Sequence, residues 1–358
     1  VLGTEHHEVL CGPGELSGAL PEVVWHVETP LMRTGPVPLY LLSGLVQGAS
    51  RRVVLTGEGA DELFAGYNIF KEARIRRFWA RQPASKARPA LLGRLYPYVS
   101  HGRGGAMWQA FFKKGLEAVD DPLYSHRIRW SNTSAALRFL SPDLLAQADP
   151  EALEAELVDA LPPGFARWTP LARAQWLEID SFMSTYLLSY QGDRVAMGHS
   201  VEVRYPFLDP EVIRLAARLP DRTKLLGLRD KHVLRRLAAR TLPQQIWARP
   251  KQPYRAPMAA PFFGPERPAY VDALLGREAL RDAGLVDVDA ASALIEKARA
   301  HQGQLASERE EMALVGLLTM QLLARACGAE LAGRLADAEA RMARMSCLVF
   351  EDRVEVAA

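Results

Sequence analysis

The chain is short of sulfur. Three cysteines, Cys11, Cys327 and Cys347, stand far apart in 358 residues, and no CxxC pair occurs. So odd and scattered a set frames no disulfide-stapled fold, carries no zinc-ligand spacing and suits a reducing compartment. Long apolar runs are missing too: nothing approaches the ~20 residues needed to cross a bilayer. The opening VLGTEHHEVL lacks the basic start and long apolar centre of a signal peptide. The expected location is therefore cytoplasmic, with no membrane partner. Nor is there a surplus of one charge. Lys+Arg number 44 against Asp+Glu 42, a net charge of +2, whereas a nucleic-acid-binding chain would show a clear basic excess. No internal repeat or low-complexity block stands out. Val1 stands in place of an initiator methionine, and the chain is expected to begin inside a longer protein.

Apolar residues are plentiful at 49%, enough for a large core and one or two domains. VLGTEHHEVL has the alternation and brevity of a strand. ALPEVVWHVETP reads as a short helix and loop, and PVPLYLLSGLVQGAS as a helix. RRVVLT is an apolar strand of the kind buried on both faces of a parallel sheet. Strand, helix, strand, helix favours an α/β sheet for the first ~70 residues. From Ala60 the pattern turns helical, with Leu63, Tyr67 and Phe70 on one face. Helices follow around 106–115, 150–161, 171–199, 210–219, 231–242, 290–300 and 308–326, most junctions marked by proline. RPKQPYRAPMAAPFFGPERP, 249–268, is too proline-rich for regular structure and reads as an ordered loop. Residues 331–358 read as a loosely packed tail with a strand-like CLVF near its end.

The segment VVLTGEGADELFAGY, 53–67, carries the sharpest chemistry. A glycine turn after a parallel strand places a ligand at the carboxyl edge of the sheet. Gly57 and Gly59 allow positive φ and close backbone approach, and helix-start amides attract an anion. Asp61 beside phosphate is repulsive unless a divalent cation lies between, and Mg²⁺ commonly bridges a carboxylate to substrate phosphates. Glu58, at the tip, could accept a proton or meet a cationic group. A dipole effect at the helix start explains Asp61 well and Glu58 poorly. In the loop, Pro250, Pro253 and Pro257 stiffen the chain around Lys251, which helps if that lysine must reach into a site.

These residues closely resemble the synthetase domain of glutamine-dependent asparagine synthetases. ETPLMRTGPVPLYLLS, VVLTGEGADELFAGYNIFKEA, SYQGDRVAMGHSVEVRYPFLDP, DKHVLR, RPKQPYRAP and SEREEMALVGLL follow one another in the order of that family, across roughly residues 1–325. The resemblance implies an α/β fold: the small parallel sheet of an adenine-nucleotide α-hydrolase-like (ATP-pyrophosphatase) domain followed by a mostly helical body. It implies one synthetase domain over 1–330, then the tail 331–358. It also implies a two-step ligase using ATP and Mg²⁺. A carboxylate, aspartate by default, attacks the α-phosphorus and expels pyrophosphate. Ammonia from glutamine then converts the acyl-adenylate to an amide and AMP. By match of position, Glu58 is the proton acceptor as ammonia attacks. Lys251 holds phosphate charge during adenylation, Asp61 lies at the magnesium-pyrophosphate end, and Thr56, Gly57, Gly59 and Arg33 contact the nucleotide or its phosphates.

Other charged stretches have quieter readings. Asp193, Arg194, Glu202 and Arg204 read as a buried structural network. Lys231 and Arg235 read as a solvated helix face, although they could face phosphate. Adjacent His6 and His7 on a strand point to opposite faces, which disfavours a shared metal. Two family parts are absent from these residues: the SGGxDS pyrophosphate loop and the glutaminase domain, whose nucleophilic cysteine Cys11 cannot replace. A segment in cis or a partner chain is expected to supply both, and a homodimer stays open. Two alternatives remain. One is the same chemistry on a specialised acid, or β-lactam ring closure, against which Glu58 argues because those relatives carry tyrosine there. The other is a scaffold or regulatory subunit that keeps the fold without catalysis.

Overall fold

A computed structural model of the chain describes residues 3–96, 105–252, 254–305 and 307–344. Its helices start where the prolines and acids place them. Pro13 opens α1, Pro13–Val27, and the Glu15 carboxylate accepts the Gly12 N–H at 3.0 Å, closing the first turn. Leu16, Leu20, Val23, Val24 and Val27 recur along one face of α1 and are all buried. α1 thus begins six residues before ALPEVVWHVETP. Pro36 opens α2, Pro36–Gly48.

α1 and α2 pack with the helix Glu308–Cys327 and with Phe262, Phe263, Val271, Leu280 and Ile295 into the largest apolar cluster. The loop between α1 and α2 is tied to that helix by a reciprocal pair: Leu31 N–H donates to Thr319 Oγ1 and Thr319 Oγ1–H to Leu31 C=O, both at 2.9 Å. The beginning and the end of the described chain therefore share one core. A second cluster gathers Ile75 and Trp79 around Leu92, Phe112, Leu116 and Ile128.

The sheet has two parallel strands, β1 (Val53–Leu55) and β2 (Glu202–Arg204), in register Val53↔Glu202, Val54↔Val203 and Leu55↔Arg204. This agrees with a mostly helical α/β chain. Several expectations change. Residues 3–10 form no strand but an exposed irregular segment, with Leu10 at 85% exposure. An isolated strand leaves a row of backbone groups unpaired, and alternation alone cannot hold it. β1 is not buried on both faces: Val53 is 44% and Leu55 72% exposed, and among the described residues neither strand has another neighbour.

The helix expected from Ala60 is interrupted. A single turn, α3 (Ala60–Leu63), gives way at Ala65, whose φ is 58°, before α4 runs from Asn68 to Ala80. Leu63 and the Tyr67–Phe70 pair consequently fall in different apolar clusters. A four-residue helix has too small a dipole to hold an anion by itself. The 249–268 loop contains a short helix, Ala260–Phe263, buried in the main cluster. Leu331–Arg344 is helical rather than loose, with Arg334 paired to Glu22 and stacked on Trp25; CLVF lies outside the described residues.

Candidate active site

Gly59 has φ +89°, and a Cβ there would collide with the Leu208 side chain. The turn can therefore lie flat on the Pro206–Leu208 segment only with glycine at this position. Gly57 does not adopt positive φ, and open space surrounds its Cα. Of the two glycines only one is sterically required. Thr56 N–H donates to Arg204 C=O at 3.0 Å, prolonging the β1–β2 ladder by one rung and placing the turn at the carboxyl end of both strands.

The turn concentrates polar atoms that the protein itself does not satisfy. Thr56 Oγ1, Glu58 Oε2, Asp61 Oδ1 and Glu62 Oε2 are all buried without a hydrogen-bond partner. Buried polar atoms are almost always paired in folded proteins, so four orphans within seven residues single this turn out as a candidate ligand site. The other Asp61 oxygen is doubly held: Oδ2 lies 3.0 Å from Lys231 Nζ and 3.1 Å from Lys251 Nζ. These side chains are only 15%, 23% and 27% exposed, so their charges are poorly screened. Gly66 is the close-approach glycine here, because a Cβ on it would strike Asp61 Oδ1 and the Lys231 stem.

Two devices seat the lysines. Lys231 sits in the left-handed region at φ 46° with its N–H on Phe64 C=O at 3.2 Å. The preceding Asp230 is buried between Lys71, at 3.1 Å, and Arg235, at 2.9 Å. Burial pushes the Asp230 carboxyl up, but Arg235 and Lys71 outweigh it and hold it below the usual carboxylate range. Arg235 also donates to the carbonyls of Trp247 at 2.7 Å and Arg249 at 2.9 Å, fixing the approach to Lys251. Thr34 Oγ1 donates to Pro257 C=O at 2.8 Å and anchors the other end of the loop. Lys251 Nζ further lies 5.3 Å above the Tyr67 ring.

Beneath the site, the Tyr67 hydroxyl donates to Glu62 Oε1 at 2.7 Å, and Glu62 is 1% exposed. Burial pushes the Glu62 carboxyl up, against that hydrogen bond, and Asp61 and Glu178 add to the rise. An acid whose pKa folding raises binds its proton more tightly in the native state. Its stabilising contribution is full below the ordinary carboxylate range and is lost as pH climbs through the raised value. Glu62→Gln, which cannot ionise, is therefore expected to gain stability over the parent at pH 8 and to lose that advantage near pH 4. Each unit of pKa rise corresponds to about 1.4 kcal/mol. Urea midpoints at the two pH values measure it, and an equal offset at both would contradict the assignment.

Glu58, Lys251, Thr56, Gly57, Gly59 and Asp61 thus come together, or lie on one turn. Arg33 does not join them by any hydrogen bond or ion pair: it pairs with Glu308 at 2.9 Å and rests its guanidinium on Met312 Sδ at 3.6 Å. Asp193, Arg194, Glu202 and Arg204 are not a buried network. Arg194 pairs with Glu28 and Arg204 with Glu202, both at exposed positions. Lys231 and Arg235 are not a solvated face, since both are drawn into half-buried pairs. His6 and His7 bond separately to Glu8 and Glu5, at exposed positions. Among the described residues no group of three or more His, Cys, Asp or Glu is placed to hold a metal. Of the unpartnered carboxylate oxygens on the turn, Asp61 Oδ1 lies beside the lysine pair, packed against Gly66, and is the kind of one-carboxylate ligand that a nucleotide-bound Mg²⁺ takes.

Comparison with known proteins identifies the family. The family model described as asparagine synthase matches residues 1–325, and the chain belongs to that family. It is 28% identical over 259 residues to asparagine synthetase [glutamine-hydrolyzing] 1 of Bacillus subtilis, covering 72% of this chain and 39% of the relative. It is 28% identical over 331 residues to amidase chyE of Penicillium rubens, and 25% identical over 327 residues to amidase chry2 of Gibberella zeae. Each of these two alignments covers 86% of this chain and 47% of the relative. The matched region spans less than half the length of these relatives.

Proposed function

We propose that this chain is the synthetase part of an ATP-dependent amide-forming ligase, one continuous domain over 1–330. The observation that carries the reading is the meeting of Lys231 and Lys251 on one Asp61 oxygen beside an unsatisfied acidic turn. In the first step the substrate carboxylate oxygen bonds to the α-phosphorus of Mg-ATP. The bond from that phosphorus to the bridging oxygen breaks, and pyrophosphate leaves with the electron pair. Two fixed ammonium groups beside the departing oxygens stabilise that charge where it develops. Asp61 holds the lysines in place, and its unpartnered carboxylate oxygen would be the protein ligand for a magnesium carried by the nucleotide, which would offset phosphate charge. In the second step ammonia attacks the acyl carbon, the bond to AMP breaks, and Glu58 takes the surplus proton.

A further segment, in cis or from a partner chain, completes the site with a pyrophosphate loop and with the glutaminase that supplies ammonia. The exposure of Val53 and Leu55 on β1, which has no second strand neighbour among the described residues, supports this, since parallel sheets are usually covered on both faces. Aspartate is the default acid. The test is pyrophosphate release by the full-length protein with ATP, Mg²⁺, an ammonium salt and a panel of carboxylic acids that includes aspartate and apolar acids. Release with none of them, together with no nucleotide uptake by calorimetry, would favour a non-catalytic scaffold.

A further inference from the structure

α3 is a single turn, and one turn fixes several backbone dihedrals for too few hydrogen bonds to stand alone. Its hold comes from outside. Ala60 C=O accepts Phe64 N–H at 3.3 Å, and Asp61 C=O accepts Gly66 N–H at 2.7 Å. The next two carbonyls, Glu62 and Leu63, both accept from Gln175 Nε2, at 2.5 and 2.8 Å. Gln175 lies 113 residues from Glu62 in sequence, in the helix Pro170–Glu178, and is 5% exposed. Its amide can face only one way. Main-chain carbonyls accept and cannot donate, so the NH₂ end meets α3. The Oε1 end accepts from the buried Lys224 Nζ at 3.2 Å, and an ammonium only donates. Thr169 ties the two supports together. Its hydroxyl oxygen accepts Ala172 N–H at 3.2 Å where the helix starts, and its proton goes to Asp221 Oδ1 at 3.0 Å on the turn Asp221–Lys224.

We propose that Gln175, oriented by Lys224, is a positioning residue for nucleotide capture: it clamps α3 and so fixes Asp61 against the Lys231–Lys251 pair. The inference rests on the ligase reading above. Asp61 is the second residue of α3, so a shift of the turn moves the carboxylate on which both ammonium groups sit. Lys231 is coupled to the same turn twice, through Asp61 Oδ2 and through its own N–H on Phe64 C=O. Gln175 acts through the turn and not on the nucleotide. With the clamp released, the turn samples conformations that do not hold the pair, and nucleotide selects the fraction that does. Apparent affinity then falls by that fraction, while the rate at saturation is kept.

The experiment uses the full-length protein with ATP, Mg²⁺, ammonium chloride and the acid that supports pyrophosphate release. Gln175→Glu keeps the volume and the acceptor for Lys224 but, ionised, has no N–H to give the two carbonyls. It is expected to raise KM for ATP about tenfold, the worth of one or two neutral hydrogen bonds, with kcat for pyrophosphate release within about twofold of the parent. Hydrogen–deuterium exchange without nucleotide should quicken about tenfold over residues 60–66 and stay unchanged over α1. Lys224→Met, which frees the amide to turn over, should move both readings in the same direction by a smaller factor. Unchanged exchange over 60–66 in Gln175→Glu overturns the proposal. So does a fall in kcat at unchanged KM for ATP, which is the mark of lost folded protein. Should Gln175→Glu fail to fold, Lys224→Met decides by the same two readings. Absence of pyrophosphate release by the unmutated protein is a different failure: it removes the ligase reading and the catalytic role with it, while exchange over 60–66 still reports whether Gln175 clamps the turn.

Discussion

Lys251→Ala is expected to lower pyrophosphate release by about a hundredfold or more while leaving the chain folded. Removing one preorganised donor from a developing negative charge typically costs 10²–10³ in rate. Lys251 qualifies as preorganised: its Nζ is fixed by Asp61 Oδ2 and the Tyr67 ring, and its loop by Arg235 and Thr34. The fold should survive because Asp61 keeps Lys231 at 3.0 Å, so no buried carboxylate is abandoned. Lys251→Arg should rescue little, since a planar guanidinium does not occupy the place of a compact ammonium in a half-buried position. The measurement is single-turnover pyrophosphate release with circular dichroism as the folding control. Release equal to that of the unmutated protein would remove Lys251 from the adenylation step.

Glu58→Gln is expected to separate the half-reactions in the opposite sense. Adenylation does not require a proton acceptor at the turn, so pyrophosphate release should stay within a few-fold of the parent. Amide formation should fall 10²- to 10⁴-fold, the usual worth of a positioned acid–base group. The substitution conserves volume and replaces an oxygen, Oε2, that has no protein partner to lose. The ratio of amide to pyrophosphate, followed against ammonium concentration, makes the test. A constant ratio would place Glu58 outside proton transfer.

Local signals carried much of this architecture. Prolines at helix junctions and the glycine bend after an apolar triplet are each decided within a few neighbouring residues and appear where the sequence places them, although α1 begins six residues earlier than expected. Contacts formed across long separations were not legible. Lys231 is one lysine before a helix, indistinguishable in sequence from a surface charge; its left-handed backbone and its partner 170 residues earlier appear only in three dimensions. The charge-dense stretch from Asp193 to Arg204 suggested burial by composition, yet among the described residues the buried ionisable Glu, Asp, Lys and Arg side chains are Glu62, Lys71, Glu72, Arg76, Glu178, Lys224 and Asp230, scattered along the chain. The expected strand at the N-terminus failed for a related reason: a strand is a property of a pair, and its second member is not among the described residues.

Three stretches of chain that begin far apart end on a single oxygen of Asp61. Because both ammonium groups are already parked there, the conformational entropy of ordering them has been settled in folding, and nucleotide capture need not supply it again. On the proposed ligase reading, an arriving polyphosphate would meet a cation pair already assembled, with Asp61 serving as the anchor that keeps both charges in position.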